Sequence, residues 1–455
     1  MSTWKKTFAA LAITLAWTLP ARADIVKLKG YPSQNTYIET LRIELFYPQN
    51  EKDSFWTQLS VWDASFFSKG SEKSVRVLQD RTKLTYKVWM QDEIAPLAII
   101  LPGFGGHYNS QTATAQAYKL YCNGYSTLII SSPTNFEFMN SAGKNIVPGY
   151  TPYDAQDIYN ALQKVIADLK SRYGAERISK KVLIGLSLGA LHSLFISDID
   201  NKQNKIGFER FIALNPPIDV FYALEQIDQL MAIWQPWSRE KLDAKTNRAG
   251  VTFWAMFERR LSINAPLPID KSEAEYMIGI SFRMTLRDMI FNIHKRKNFG
   301  ILKAPYSWCS RDAMYREINQ FNFSRYIETF GKKYYTKVLA RKFSKEQMNK
   351  ESSLPSIGAS LAANPKVRVI YSINDFMAKK SDLEWLRNLL GEKMTVFNQG
   401  SHLGYLYRPQ AQKQILKYLN DKAFADEFEL VDDRASAAFN EKLPTYISPP
   451  YAEYN

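Results

Sequence analysis

The 455-residue chain contains only two cysteines and four histidines. Neither Cys122 nor Cys309 lies in a spacing typical of metal ligands, and the histidines are scattered along the chain. The sequence therefore indicates no metal chemistry, and we predict no cofactor. Two isolated buried thiols are favoured over a disulfide, although an exported location would allow Cys122 and Cys309 to pair.

Long apolar runs are also missing, with one short exception at the N terminus. Residues 1–23 start with Lys5 and Lys6, continue with an apolar stretch from Thr7 to Leu19, and end on small residues. This pattern is typical of a secretory signal peptide, and the apolar stretch is shorter than the roughly 20 residues of a transmembrane helix. We predict cleavage after Ala23, with an uncleaved anchor as the alternative, and an exported protein that is periplasmic or secreted.

Acidic residues are too few to balance the basic ones, because 59 Lys and Arg against 45 Asp and Glu give a formal net charge of +14. Residues 1–23 carry three of these positive charges, which leaves +11. Between Arg283 and Lys345 there are 15 basic and 4 acidic residues, again a net of +11. The stretch is expected to form a solvated helix face, with contact to an anionic membrane or envelope surface as the sharper hypothesis. Nucleic acid is not an expected partner, because no binding motif is present.

Internal repeats and low-complexity tracts are absent, and alternating strand-like and helix-like segments begin near residue 75. Their order predicts an α/β protein with a mostly parallel sheet and helices on both faces. The strand-like segments are continuously apolar, as expected for strands covered on both sides. The predicted core strands are Pro96 to Gly103, Ser126 to Pro133, Lys180 to Ser187, Phe208 to Pro217, Lys366 to Asp375 and Lys393 to Gly400.

This alternation is interrupted once, by about 150 residues without a convincing buried strand. We predict a core from residues 24–216 and 366–421, a helical lid or cap at 217–365, and a C-terminal tail at 422–455. The lid segment is rich in Trp, Phe and Tyr. These aromatics are expected to form the lid's own core, with an apolar pocket for a fatty or aromatic acyl group as the sharper hypothesis.

A serine stands at the junction of one predicted strand and the following helix, in the sequence GLSLG. Ser187 lies between Gly185 and Gly189, and a sharp strand-to-helix turn there leaves little room for a Cβ at either glycine. Such a turn pushes the hydroxyl out above the sheet, towards the first amides of the helix. A second serine pattern, GASLA at 358–362, follows Pro355 without a preceding strand and is not expected to hold a nucleophile.

The GLSLG turn and its context resemble the nucleophile elbow of the α/β-hydrolases. This resemblance implies an α/β-hydrolase fold and a catalytic triad in the order serine, acid, histidine. His402 follows the last predicted strand, where the family keeps its base, and Asp375 ends the strand before it. Asp382 is a weaker rival for the acid, and it fits better as a residue that starts a helix.

The other histidines fit the triad less well. His107 and His192 fall outside the expected position, and His294 lies among basic residues of a solvated face. A structural role in its loop is the alternative for His402.

The resemblance also implies an oxyanion hole made of two backbone amides. The first belongs to Leu188, directly after the serine, and the second to the loop LPGFGGH. Phe104 is the expected donor in that loop, with Gly105 close behind, and a glycine turn without a role is the alternative. The chain departs from many relatives after its second core strand, where SSPTNFEFMNSAG replaces an Asp-x-Arg-Gly type of turn.

These residues together predict an exported serine hydrolase that cleaves a small-molecule or lipid-like ester through an acyl-enzyme on Ser187. A peptidase or amidase of the same fold is the first alternative, because the same groups cleave both bond types. A non-catalytic protein that binds an anionic envelope polymer through the basic lid is the second. The sequence does not indicate the acyl chain, the leaving group or the oligomeric state.

Overall fold

The computed structural model describes residues 22–48, 66–257, 261–305, 311–342 and 344–420. The predicted signal peptide up to residue 21, the C-terminal tail and Cys309 lie outside these ranges. Cys122 follows a helix and is exposed, so the prediction of a buried thiol is wrong for this cysteine. Its position after the last turn of the helix, rather than on the packed face, explains the exposure.

One sheet forms the centre of the described protein, with strand order β1-β9-β8-β7-β6-β4-β5-β3-β2. All neighbouring strands are parallel except for β3, which is antiparallel to both β2 and β5. The short β1 was not predicted from the sequence. The strands are β1 Ile25–Val26, β2 Ser71–Val75, β3 Leu84–Trp89, β4 Ala95–Leu101, β5 Ser126–Ile130, β6 Ile178–Leu186, β7 Arg210–Leu214, β8 Val367–Ser372 and β9 Met394–Phe397.

The central strands are apolar along their length because both faces of the sheet are covered. Successive side chains point to opposite faces, so Leu183 of β6 joins the core on one side while Val182 and Ile184 join the core on the other. In the register of the sheet, Ile184 lies beside Ile100 of β4 and Ile212 of β7. This arrangement aligns the C-terminal ends of β4, β6 and β7 at one edge.

Helices cover both faces of the sheet and fill the chain between β7 and β8. The described helices are α1 Thr36–Leu41, α2 Phe66–Lys69, α3 Gln111–Tyr121, α4 Phe136–Ser141, α5 Thr151–Tyr173, α6 Leu188–Gln203, α7 Val220–Ala232, α8 Arg239–Phe257, α9 Lys271–Arg296, α10 Asp312–Ile318, α11 Phe323–Tyr326, α12 Lys332–Val338, α13 Lys345–Ser352, α14 Gly358–Ala363, α15 Lys380–Leu390 and α16 Pro409–Leu419. Within these described segments, no helix combines the length and the apolar character needed to cross a bilayer.

The described residues between β7 and β8 contain helices and no strand, and we call them the inserted helices (α7 to α14). The longest, α9, begins with a capping box in which Asp270 and Glu273 exchange hydrogen bonds. Helices α7 and α9 approach closely at Gly279, where an added Cβ would lie 2.2 Å from the carbonyl oxygen of Leu230. A π-helical turn, Ile327–Gly331, joins α11 to α12. The inserted helices are thus packed units with defined ends rather than a loop.

Candidate active site

Ser187 occupies the sharp turn between β6 and α6. Its backbone has φ 53° and ψ −117°, a strained conformation for a residue with a side chain, and its N–H donates to the carbonyl oxygen of Leu214 at 2.9 Å. A Cβ on Gly185 would lie 2.2 Å from the carbonyl oxygen of Gly189. The turn therefore closes only because both flanking positions are glycine, as the sequence predicts.

His402 and Asp375 meet Ser187 at this turn. His402 Nε2 lies 2.7 Å from Ser187 Oγ, and His402 Nδ1 lies 2.8 Å from Asp375 Oδ2. A carboxylate only accepts hydrogen bonds, so Nδ1 carries the proton and Nε2 is left to accept from the serine hydroxyl. The three side chains form one continuous chain of hydrogen bonds in the orientation that general-base catalysis requires.

Each member of this chain follows a different strand of the mostly parallel sheet. Ser187 directly follows β6, Asp375 lies three residues after β8, and His402 lies in the loop after β9. This is the α/β-hydrolase fold. The fold class predicted from the sequence is confirmed, and the three residues predicted for the triad are brought together.

Comparisons with known proteins gave distant likenesses to other α/β-hydrolase structures. The esterase Pf2001 of Pyrococcus furiosus is 13% identical with a TM-score of 0.40, covering 79% of this chain and 95% of that one. A bacterial membrane phospholipase A is 13% identical with a TM-score of 0.41, covering 78% and 87%. The proline iminopeptidase of Mycobacterium smegmatis is 14% identical with a TM-score of 0.37, covering 77% and 98%. No family model and no curated protein matches the chain.

The two backbone amides predicted for the oxyanion hole belong to Leu188 and Phe104, which line the same cavity as Ser187. Leu188 is the first residue of α6, so its N–H is one of the amides without an intrahelical acceptor. Among the described residues, none accepts a backbone hydrogen bond from Phe104 N–H. Gly105 N–H, in contrast, donates to Thr134 Oγ1 at 2.8 Å. The geometry therefore favours Phe104 over Gly105 as the second donor.

The loop that carries Phe104 is held by the segment after β5. Besides the bond from Gly105 to Thr134, Asn135 Nδ2 donates to the carbonyl oxygen of Gly105 at 2.8 Å. Ser132 N–H donates to the carbonyl oxygen of Gly106, also at 2.8 Å. This segment is the SSPTN sequence that departs from the turn of many relatives. Its departure has a structural role here, since it fixes the oxyanion loop from the neighbouring strand.

Asn215, at the end of β7, is a contact of the triad that the sequence did not reveal. Its Nδ2 donates to Asp375 Oδ2 at 2.7 Å, while its Oδ1 accepts from the hydroxyl of Tyr405 at 2.6 Å. Met377 N–H donates to the other carboxylate oxygen, Oδ1, at 2.9 Å. Asp375 is thus oriented by three donors, counting His402, and its side chain is only 1% exposed.

Helix α1, near the start of the chain, holds the loop that carries His402. Glu39 is buried and accepts from Gly400 N–H and from Asn374 Nδ2, both at 2.8 Å. The hydroxyl of Thr36 lies 2.5 Å from that of Ser401. These hydrogen bonds join α1 to the loops after β8 and β9. No short sequence motif predicts them.

The remaining candidates lie away from the triad. The His107 ring is tilted against that of Tyr108, with 3.9 Å between ring centroids, and His294 lies in the last turn of α9. Asp382 is in the first turn of α15, the helix-start position predicted for it. Ser360 of GASLA lies within α14. In the described part of the chain, no group of three or more His, Cys, Asp or Glu residues could hold a metal ion.

A cavity of about 760 Å³, including its open mouth, begins at Ser187. Phe104 and Leu188 line it together with Ser187, and most other lining side chains are aliphatic or aromatic. The inserted helices supply part of the wall, among them Phe282 of α9, which stacks on Phe104 with 5.8 Å between ring centroids. The apolar wall suits an apolar organic ligand.

The hydroxyl groups of Thr134, Thr151 and Tyr326 and two further titratable side chains interrupt this apolar wall. Asp154, in the first turn of α5, and His192, in α6, are both buried and both line the cavity. Burial lowers the pKa of His192 to about 3. Burial also raises the pKa of Asp154 well above its usual range, with a further contribution from the nearby Asp157. The 4.0 Å contact between His192 Nε2 and Asp154 Oδ2 therefore joins two neutral groups and is not an ion pair.

The two shifts predict opposite dependences of stability on pH. His192 is protonated below about pH 6.5 in the unfolded chain but only near pH 3 in the folded one. Relative to His192→Gln, the free energy of unfolding of the wild type should fall by up to about 1.4 kcal/mol per pH unit as the pH falls from 6.5 towards 3.

Asp154 is protonated in the folded protein and ionises in the unfolded chain above about pH 3.8. Relative to Asp154→Asn, the wild type should therefore lose stability as the pH rises above 3.8.

Urea unfolding of the three proteins at pH 4.5, 5.5 and 6.5 measures both differences. A stability difference that is flat across this range for both variants would contradict the assignment of two neutral groups.

Proposed function

We propose that this protein is a serine hydrolase that cleaves a carboxylic ester through an acyl-enzyme on Ser187. The observation that carries the proposal is the hydrogen-bonded chain Ser187–His402–Asp375, with distances of 2.7 and 2.8 Å, at the wall of an apolar cavity. A serine hydroxyl is a weak nucleophile unless an adjacent base takes its proton. His402 Nε2 lies within hydrogen-bonding distance of Ser187 Oγ, in position to take that proton.

Acylation would begin when Ser187 Oγ attacks the ester carbonyl carbon and His402 Nε2 takes the hydroxyl proton. The negative charge that develops on the carbonyl oxygen faces the amides of Leu188 and Phe104, and each such donor lowers the barrier by roughly 3 kcal/mol. The tetrahedral intermediate then breaks the bond to the leaving alcohol. That alcohol receives its proton from His402, and the acyl group stays on Ser187.

Deacylation would repeat these steps with water. His402 takes a proton from a water molecule, whose oxygen attacks the acyl carbon, and the carboxylic acid leaves as Ser187 regains its proton. Asp375 stabilises the imidazolium in both halves of the reaction and keeps the proton on Nδ1. The three donors to its carboxylate hold it in place throughout.

An ester of an apolar acid is favoured over a peptide because of the cavity wall. Asp154 is the one carboxyl group among the described residues that line the cavity, and burial keeps it neutral. A substrate with a free amino terminus would find no carboxylate there to pair with its charge. An acyl chain, in contrast, would bury its surface against side chains such as Leu224 and Ile227.

Labelling with a fluorophosphonate probe, followed by kinetics on nitrophenyl esters of increasing chain length and on aminoacyl amides, tests the proposal. We expect labelling, and faster turnover of esters than of amides. Faster turnover of amides would instead make the protein a peptidase or amidase. Absence of labelling, together with tight binding of an anionic polymer, would favour the non-catalytic alternative.

We also propose that the inserted helices bind an anionic surface, and that the protein meets it after export. The helices that line the cavity belong to the same segment as a group of exposed cations. Positive charge beside the cavity would concentrate the protein at anionic lipid, where ester substrates are found. The exposed cations include Lys295, Lys297, Lys303, Arg316, Arg325, Lys332, Lys333 and Lys337.

Substitution of Lys332 and Lys333 by glutamine should weaken binding to vesicles with anionic lipid about thirtyfold at low salt, because each surface lysine contributes roughly 1 kcal/mol. Co-sedimentation with anionic and with neutral vesicles measures it. The matched control substitutes Lys164 and Lys170 of α5, which are equally exposed, and should bind like the wild type. Equal binding to both kinds of vesicle, unaffected by salt, would refute the proposal.

A further inference from the structure

Asp154 and His192 are two buried polar residues of the cavity wall, which is mostly apolar apart from them and the hydroxyl groups of Thr134, Thr151 and Tyr326. His192 lies five residues after Ser187 along α6, which places it about 7.5 Å further along the helix axis. Its side chain is 1% exposed and that of Asp154 is 4% exposed. Both residues nevertheless line the cavity that begins at Ser187. A ligand that fills the cavity would therefore reach them.

The hydrogen-bonding capacity of His192 is not used by the protein. Among the described residues, none is a hydrogen-bond partner of His192 Nδ1. Its other ring nitrogen lies 4.0 Å from Asp154 Oδ2, beyond hydrogen-bonding distance. Asp154 Oδ2 itself accepts from Gly149 N–H at 2.7 Å. Buried polar atoms in folded proteins nearly always have a partner, so an unpaired one in a residue that lines a cavity is a candidate to bind a ligand.

The partner that suits these two groups is uncharged and can both donate and accept. Burial keeps the imidazole and the carboxyl group neutral, so each offers one donor and one acceptor site. A charged group on the ligand would have to leave water without an opposite charge to compensate it. A hydroxyl group meets the requirement, because its oxygen accepts and its proton is donated.

Apart from the hydroxyl groups of Thr134 and Thr151, the rest of the wall would penalise a hydroxyl group of the ligand. Leu191, Ile227 and Met289 offer no hydrogen bond, and the hydroxyl of Tyr326 already donates to the carbonyl oxygen of Pro148 at 2.6 Å. A hydroxyl group facing these side chains would lose its hydrogen bonds to water without replacement. The cavity should therefore favour a hydroxyl group at one position of a bound acyl chain and disfavour it at most others.

We propose that Asp154 and His192 form a subsite that recognises a hydroxyl group on the acyl chain of the substrate. The inference rests on the proposed function, since it takes the cavity to be the acyl-binding site. It adds a substrate class, hydroxylated aliphatic acids, that the triad does not define. Asp154 and His192 are specificity residues in this scheme and take no part in bond cleavage.

Binding of free acids to Ser187→Ala tests the subsite without any need for turnover. Calorimetry would compare hexanoate with hexanoates that carry a hydroxyl group at carbon 3, 4, 5 or 6, and with 6-aminohexanoate. We expect at least one hydroxy acid to bind about three- to tenfold more tightly than hexanoate. Equal or weaker binding of every hydroxy acid, as expected if an ordered water satisfies the pair, would overturn the proposal. Tighter binding of the amino acid than of every hydroxy acid would also overturn it.

Variants in the same Ser187→Ala background assign the preference to the pair. His192→Leu should bring the ratio of affinities to about one or below, whereas His192→Gln should retain part of the preference. Met289→Leu, a conservative change on the same wall, should leave the ratio unchanged. A preference that survives both His192→Leu and Asp154→Leu, with both proteins folded by thermal melting, would place the hydroxyl group elsewhere and refute the subsite.

Failure of the proposed function gives a different result from failure of the subsite. If the wild type hydrolyses no ester, the triad's role is refuted, but the comparison of affinities in the inactive variant is still decisive for the subsite. If esters are hydrolysed and no hydroxy acid is preferred, only the subsite is refuted.

Discussion

Replacement of Ser187 by alanine is expected to abolish labelling by a fluorophosphonate probe and to lower ester hydrolysis by at least about ten-thousand-fold. In the proposed mechanism, Ser187 Oγ is both the atom that attacks and the atom that carries the acyl group. The neighbouring Leu188 amide and the cavity remain in the variant, so substrate should still bind. In-gel fluorescence measures the labelling, and kcat/KM on a nitrophenyl ester measures the hydrolysis.

Ser360→Ala is the matched control, because Ser360 occupies the central position of the GASLA sequence. It lies within α14 and is not at a strand-to-helix turn. The variant should be labelled and should turn over ester like the wild type. Labelling that persists in Ser187→Ala, or that disappears in Ser360→Ala, would mean that the nucleophile is assigned to the wrong residue.

The second large effect is expected from Gly189→Ala, which should destabilise the fold by at least about 3 kcal/mol. An added Cβ would lie 2.3 Å from the carbonyl oxygen of Leu101 and 2.5 Å from that of Pro102. Both atoms belong to backbone at the end of β4, so no side chain can rotate away. The first turn of α6 and the oxyanion loop would have to separate, and activity should fall with stability. Urea unfolding measures the change in free energy.

Gly250→Ala controls for the general effect of replacing a glycine. Gly250 lies inside α8, and no atom outside its own helix backbone lies within 4 Å of an added Cβ. This variant should be as stable as the wild type or more stable by up to about 1 kcal/mol, because alanine favours a helix. If Gly189→Ala proved as stable and active as the wild type, the close contact between α6 and the end of β4 would be incorrect.

The sequence predicts the triad because its geometry is encoded locally. The sharp turn at Ser187 is possible because Gly185 and Gly189 carry no Cβ where the backbone comes close. An apolar strand before the turn places it at the edge of the sheet. Asp375 and His402 each follow a recognisable strand, so parallel topology brings them to the same edge. The strand β1 was missed because two residues carry no periodicity.

The supporting contacts could not be predicted, since they join segments that are far apart in the chain. Asn215 orients Asp375 from 160 residues away, and Glu39 holds Gly400 from 361 residues away. Nothing in the immediate sequence of either residue distinguishes it from an ordinary polar residue in a loop or helix. The burial of His192 is equally non-local, because it depends on α5 and the inserted helices that pack around α6.

The contact between α1 and the His402 loop can form only after both segments have been synthesised. During synthesis, α1 is made before His402, which follows it by more than 360 residues. A chain that stops before that residue has the nucleophile turn but no imidazole beside it. If the proposed mechanism holds, a fragment that ends before residue 402 should therefore have no hydrolase activity.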